Sequence, residues 1–359
     1  FFEIEKRELV LTFTKQLSKK VGESDPVLEF EFDNKVAGEE PSYTGSLARE
    51  SGESVGHYLI TAGNFCLIDN LSANFLASNY CFRLEEGYLY ITNGTLDASS
   101  FVSSKSSTYN GQMQYVDVFA GDSMTVLYCE GETFVEENSQ TEPIGRLHVG
   151  KTMITIKFSM KDYDDSYATV FIEILPASII ITPKSGQCAV YGDTDYTIQY
   201  TYSGNIAGET PNFSGSLTRE SGSDVGLYNI TQGTLKLVDS ETFCKDDYEL
   251  EVASDVKFEI VKKQLIVVPT DSLQKMYGKT DPELTFTLTG AVGSDVVTFN
   301  GQIIRKTGES VGSYGYEIGS VTLDSEWSTN YTVCSTIEGS FEIVCAVIKI
   351  KIKDQTSPY

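Results

Sequence analysis

The sequence predicts an all-β chain, a tandem array of four small domains, each a β-sandwich or a β-grasp-like sheet. Three observations carry that expectation. The stretch GSLTRESGSDVGLYNI at 215–230 occurs almost verbatim at 45–60 as GSLARESGESVGHYLI, and in weaker form at 301–316 as GQIIRKTGESVGSYGY. Short segments alternate apolar and polar residues as half-buried strands do, most strictly VLEFEFD at 27–33. No helix-length stretch with a 3.6-residue period stands out anywhere.

The spacing sets the domain count. Gly56 and Gly226 lie 170 residues apart, Gly226 and Gly312 lie 86 apart. The first interval is close to twice the second, so a more diverged copy is expected between them. A period of about 85 residues is too long for a solenoid and suits an array of small domains. A unit of that size buries roughly 60–65% of its unfolded surface, enough for one modest core.

Taken in order, residues 1–6 (FFEIEK) match FEIVKK at 258–263 and read as the end of a preceding repeat. The first repeat spans 7–92: a strand over 8–13, turn chemistry over LSKKVGESDP at 17–26, the alternating strand at 27–33, the shared motif, and a closing segment over 80–91. Residues 93–176 read as a divergent repeat. It opens on the turn Tyr109-Asn110-Gly111-Gln112, carries 148–156 in place of the VGxYxI strand, has a loop at 162–167 and ends in a strand over 167–175. The third and fourth repeats span 177–262 and 263–345, with alternating strands at 197–204 and 284–290 and closing strands at 257–261 and 340–344. Val21-Gly22, Tyr191-Gly192 and Tyr277-Gly278 occupy one position; Asp25, Asp195 and Asp281 occupy another. Residues 346–359 read as the start of a following repeat, so the chain is expected to be a piece of a longer polypeptide. The orphan strands at 1–5 and 347–353 would complete a neighbour, by continuation of one chain or by strand donation between chains. Linkers such as Pro176-Ala177-Ser178 and Val261-Lys262-Lys263 are short enough to make a stiff array.

Each part of the motif has a structural role. Leu217 enters the core while Arg219, on the same face, lies at its rim with its stem inward. Gly222 supplies a turn, Gly226 is expected to allow close backbone approach, and Tyr228 and Ile230 share the next inward face. The step Tyr191-Gly192-Asp193, the Gly215-Ser216-Leu217 strand, the turn Arg219-Glu220-Ser221-Gly222 and the pair Gly226-x-Tyr228 together resemble the MBG repeat family. Those are small domains arrayed in large extracellular and cell-surface proteins, notably bacterial adhesins. The resemblance implies immunoglobulin-like or β-grasp-like units that serve as spacers or adhesive stalks at a cell surface, with no catalytic residues or cofactor to carry over.

Composition narrows the partners. The formal net charge is −24, with acidic residues spread through every repeat. That argues against nucleic acid, whose phosphates need clustered Lys and Arg. No run of about 18 apolar residues predicts a membrane span. Expected partners are therefore neighbouring repeats of the same or an identical chain, with glycans or cell-surface proteins as the alternative ligands of an adhesin.

Candidate chemistry is sparse. The seven cysteines contain no CxxC, so zinc ribbons and redox motifs gain no support. Sorted by repeat, Cys66 with Cys81, Cys188 with Cys244 and Cys334 with Cys345 form candidate intradomain disulfides. The competing reading is buried free thiols, and Cys129 is left over. Asn70, Asn93, Asn212, Asn229 and Asn330 begin N-x-[ST] sequons. The acidic loop 161–166 offers oxygen ligands for calcium but lacks EF-hand spacing, and reads more simply as a solvated hairpin turn; Asp193 and Asp195 read the same way. His57 and His148 lack triad-like neighbours, and no phosphate-cradling glycine loop occurs, so no enzyme is expected. Trp327 is either an exposed contact or a core plug.

Overall fold

The computed structural model describes residues 2–270 and 273–353, which divide into two compact units, Phe1–Pro176 and Ala177–Tyr359. The second unit shows how the repeats are built. Ala177–Pro183 alternates buried and solvent-facing residues, with Ile179 and Ile181 fully enclosed. It is the middle strand of a three-stranded sheet, antiparallel to Tyr200–Ser203 and parallel to Tyr248–Val252. A second sheet runs in the order Cys188–Val190, Lys257–Val261, Gly226–Thr231, Thr218–Arg219. A ribbon of Asn212–Ser214 with Lys236–Val238 accompanies them.

The same arrangement recurs over 7–92 and 263–344. In the latter, Val267 from the first sheet packs with Tyr316, Phe341 and Ile343 from the second. In the former, Leu11 meets Leu17, Ile60 and Leu89. Each enclosed aliphatic or aromatic side chain contributes about 1.5–3 kcal/mol, which is how an 80-residue unit holds together. These are two-sheet sandwiches. A β-grasp needs a helix to wrap, and among the described residues the only helical segments are short 3-10 turns such as Lys245–Asp247.

Residues 93–176 are built differently. Their principal sheet runs Lys105–Thr108, Ser166–Leu175, Gly150–Met160, Met124–Glu130. Ile154, Ile156 and Phe158 line its buried face. The stretch expected at 148–156 thus begins later and runs four residues further.

Several expected strands are shorter than their patterns. Only Phe30–Asp33 of 27–33 pairs, because its partner strand ends at Phe13; Val27 is 81% exposed. Likewise 197–204 reduces to Tyr200–Ser203 and 284–290 to Phe286–Thr289. Residues 215–217, expected as a strand, are a bend at Gly215 followed by irregular chain. Residues 2–6 and 346–353 form no strand: no described segment supplies them with a hydrogen-bonding partner, and Phe2, Ile4, Ile348 and Ile350 are exposed. Phe1 and 354–359, parts of the same two expectations, lie outside the described residues.

Candidate functional site

The motif arginine organises one pole of the three repeats that carry it, as Arg49, Arg219 and Arg305. Arg49 grips Asp25 with Nε and Nη2 at 2.8 and 3.0 Å, and donates Nη1 to the carbonyls of Glu50 and Gly52. Its second carboxylate is Glu53, at 2.5 Å. Lys19, only 4% exposed in its side chain, joins both acids at 2.7 and 2.6 Å. The Arg49 and Lys19 hydrogen bonds hold the Asp25 carboxyl down at about 2. Lys275, Asp281, Arg305 and Glu309 repeat the network. In the third repeat Ala189 and Ser223 stand where the lysine and glutamate would be, and Arg219 Nε is buried without a hydrogen-bond partner. The guanidinium there lies over Tyr228 at 4.5 Å and still donates to the carbonyls of Glu220 and Gly222.

The opposite pole is built around a tyrosine that sequence reading missed. Tyr331 is enclosed; its hydroxyl accepts the Val292 N–H at 2.8 Å and donates to Asp295 at 2.6 Å. Burial, then the Asp295 bond, pushes that hydroxyl up to about 12, so it stays protonated and can do both. Tyr248 does the same with Ile206 and Glu209, and Tyr80 with Val36 and Glu39. A recurring [VI]-x-x-[ED] step paired with a distant [ND]-Y step was the available signal.

Within the second unit the two poles meet. The Tyr191 hydroxyl donates to Asp295 at 3.4 Å, and its ring stands edge-on to Tyr331 at 5.3 Å. Gly192 has φ +89°, and a Cβ there would lie 2.4 Å from Val292 Cγ2. That glycine is needed both for its backbone angle and for the close approach. The Asn330 side chain accepts the Val225 N–H at 2.9 Å and donates to Asp224 at 2.8 Å. Lys262 is the single residue between the strands Lys257–Val261 and Lys263–Pro269; it donates to the Ser328 carbonyl. Trp327 is neither free contact nor core plug. It is half-buried, its ring leans on Tyr331 at 6.1 Å, and its carbonyl accepts the Asn330 and Tyr331 N–H groups.

In the first unit the acidic loop makes the corresponding joint. Gly94 N–H donates to Asp162 O and Asp164 N–H to Gly94 O, both at 3.0 Å, while Asn93 Nδ2 donates to Asp164. Tyr163 lies so close over Gly94 that a Cβ would be 2.4 Å from its ring. Asp165 is paired with Lys157 at 3.0 Å. The loop is therefore neither a simple solvated turn nor built like an EF-hand.

The remaining sequence candidates scatter. The proposed disulfides do not form: Cys66, Cys81, Cys188, Cys244, Cys334 and Cys345 are all free thiols. Cys66 and Cys81 stand on different sheets, with their sulfurs directed to the carbonyls of Leu67 and Arg7. Cys188 lies in a strand at one edge of the second sheet, Cys244 at the start of a 3-10 turn. The thiols are free, as the competing reading has it, but not buried: of the seven only Cys129 is buried. Among the sequons, Asn93 and Asn330 spend their amide nitrogens on the joints, Asn70 donates to Glu40 O, and Asn229 accepts from Lys257. Asn212 is exposed on its ribbon. His57 packs against Tyr88 and His148 stacks on Tyr109, in different repeats.

Repeated sandwiches joined through matched poles define a tandem-repeat β protein. The family model described as MBG domain (YGX type) matches residues 9–90, 179–254 and 265–342, more than half of the chain. The chain belongs to the MBG domain family. No curated protein sequence matches it. Among solved structures, Sidekick-1 immunoglobulin domains 1–5 share 11% identity over 94% of this chain and 80% of that one, with a TM-score of 0.25. The protocadherin GammaB4 extracellular domain shares 11% over 94% and 67%, at 0.20. A Bacteroides ovatus mixed-linkage glucan utilization protein, SGBP-B, solved with a mixed-linkage heptasaccharide, shares 14% over 68% and 66%, at 0.17.

Proposed function

We propose that this chain is a structural segment of an extracellular or cell-surface protein, in which residues 93–176 act as a fourth, divergent repeat. Its work is to hold successive modules at fixed angles and so to project or space whatever lies beyond them; it is not an enzyme. The observation that carries this reading is the joint between the third and fourth repeats. A flexible tether needs none of its contacts, whereas Gly192 against Val292, Tyr191 on Tyr331 and Asn330 on Val225 fix an orientation. Residual dipolar couplings test it. One alignment tensor should fit both repeats of the second unit, and Asn330→Ala combined with Val292→Gly should split it into two. Two tensors in the unaltered chain would remove the reading.

A second reading, an adhesin that binds glycan directly, is favoured by a cleft of about 340 Å³ beside the Arg49 network, lined by Leu28, Phe30 and half-exposed Tyr43. Its volume lies at the low end for ligand sites. A glycan array on which the chain binds nothing would eliminate it.

A further inference from the structure

In each repeat the chain enters and leaves on strands that lie side by side and run the same way. In the third, Ala177–Pro183 is parallel to Tyr248–Val252 in the first sheet, and Cys188–Val190 is parallel to the last strand, Lys257–Val261, in the second. Partners stay 71 residues apart, from Ala177 opposite Tyr248 to Val190 opposite Val261. The opening and closing segments therefore cross from one sheet to the other together. Backbone bonds join them along the way: Ala253 N–H to Ile181 O, Glu259 N–H to Gln187 O and Tyr191 N–H to Val261 O, at 2.9–3.1 Å. The first repeat pairs Arg7–Phe13 with Tyr80–Leu84, and Leu17–Lys20 with Tyr88–Thr92, in the same sense. The fourth pairs Lys263–Pro269 with Tyr331–Val333, and Gln274–Met276 with Ser340–Val344, 68 residues apart throughout. The divergent repeat keeps the pattern in Lys105–Thr108 beside Ser166–Leu175. The other neighbours of these strands, such as Tyr200–Ser203 and Gly226–Thr231, are antiparallel to them.

We infer that each repeat is a load-bearing unit, which resists tension along the chain through shear of its parallel opening and closing segments. Tension pulls the opening segment toward its start and the closing segment toward its end. Because the two are parallel, those points lie at opposite ends of the pair. One segment must slide along the other, and the bonds between them are loaded together. An antiparallel pair, pulled from a shared end, would open one bond at a time. Forced unfolding is governed by the unfolding barrier rather than by overall stability, so loading many bonds at once slows it steeply. Such a role rests on the reading of the segment as a spacer, since tension along the chain is the load a tethered spacer meets. The two can fail separately: dipolar couplings read orientation at a joint of the second unit, and pulling reads the strength of a single repeat.

Single-molecule pulling on the full chain tests it, with handles at residue pairs that load the first repeat in two directions. Lys6, Lys35 and Thr95 are exposed and serve as attachment points. Between 6 and 95 the load runs through the opening and closing segments. The repeat should then yield in one step and release about 300 Å, its 7–92 stretch at about 3.5 Å per residue. Between 6 and 35 the load peels Arg7–Phe13 from its antiparallel partner Phe30–Asp33, whose adjoining ends are joined by Arg7 Nε donating to Asn34 O. That pull should succeed at a force lower by about threefold or more, because the bonds break in turn. Val21→Pro gives a second measure. Val21 precedes Gly22, with φ +85°, in a turn closed by the Glu23 N–H on Lys20 O, a geometry that accepts proline before the glycine. The change removes the Val21 N–H that donates to Thr92 O across the parallel pair. The force between 6 and 95 should fall, the force between 6 and 35 should stay, and the melting temperature should hardly move. Equal forces in the two directions overturn the inference, as does a Val21→Pro chain whose loss of force is absent or is the same in both.

Discussion

Valine at Gly215 is expected to unfold the third repeat while leaving the first and fourth intact. Gly215 has φ +81°, and a Cβ there would stand 2.1 Å from the Thr234 carbonyl oxygen. The backbone is therefore in a region that side chains disfavour, and the clash is with main chain that cannot swing aside. Together these cost about 3–5 kcal/mol, a large share of the stability of a domain this small. The corresponding fall in melting temperature is on the order of 15–30 °C. Gly45 and Gly301 meet Asn64 and Ser320 in the same way, so the effect should transfer to each copy. Gly226→Ala is the control. A Cβ there would meet only Tyr228 at 3.9 Å, so its exchange rates should barely change. Repeat-resolved hydrogen exchange reads both variants; protection retained over 226–231 in Gly215→Val would show that the motif does not shape the backbone.

Arg49→Met should destabilise the first repeat by about 2–3 kcal/mol, and Arg219→Met the third by about 1 kcal/mol. Both changes keep the aliphatic stem and release two carbonyls. Only the first also leaves Asp25 and Glu53 without their guanidinium. The acid response follows from the same geometry. Asp25 titrates at about 2, below the roughly 3.9 of an unfolded chain. Its contribution is fully present above pH ~4 and is lost as the pH falls through ~2. Solvent on this half-exposed carboxylate keeps that contribution small. Urea unfolding followed by repeat-resolved exchange should show the difference, and equal losses in the two repeats would refute the network's role.

Local turn chemistry was legible in the sequence and long-range matching was not. The copies at 45, 215 and 301 announced themselves because a positive φ beside a carbonyl admits only glycine. Gly226, equally invariant among the three copies, makes no close backbone approach, so recurrence alone did not reveal its role. The joint was invisible because Tyr191 meets a residue 104 positions away and Val225 one 105 away. The ion network was in principle readable. Lys19 goes with Glu53, Lys275 with Glu309, and the third copy lacks both at once, in Ala189 and Ser223. The candidate disulfides misled because sharing a repeat says nothing about sharing a face.

The order of strands also has a consequence for biosynthesis. In the third repeat the last strand, Lys257–Val261, lies inside the second sheet, between Cys188–Val190 and Gly226–Thr231. That sheet cannot close until those five residues have been made. Each module must therefore emerge whole before it can settle, and a nascent chain would gain its modules one at a time, in the order in which they leave the ribosome.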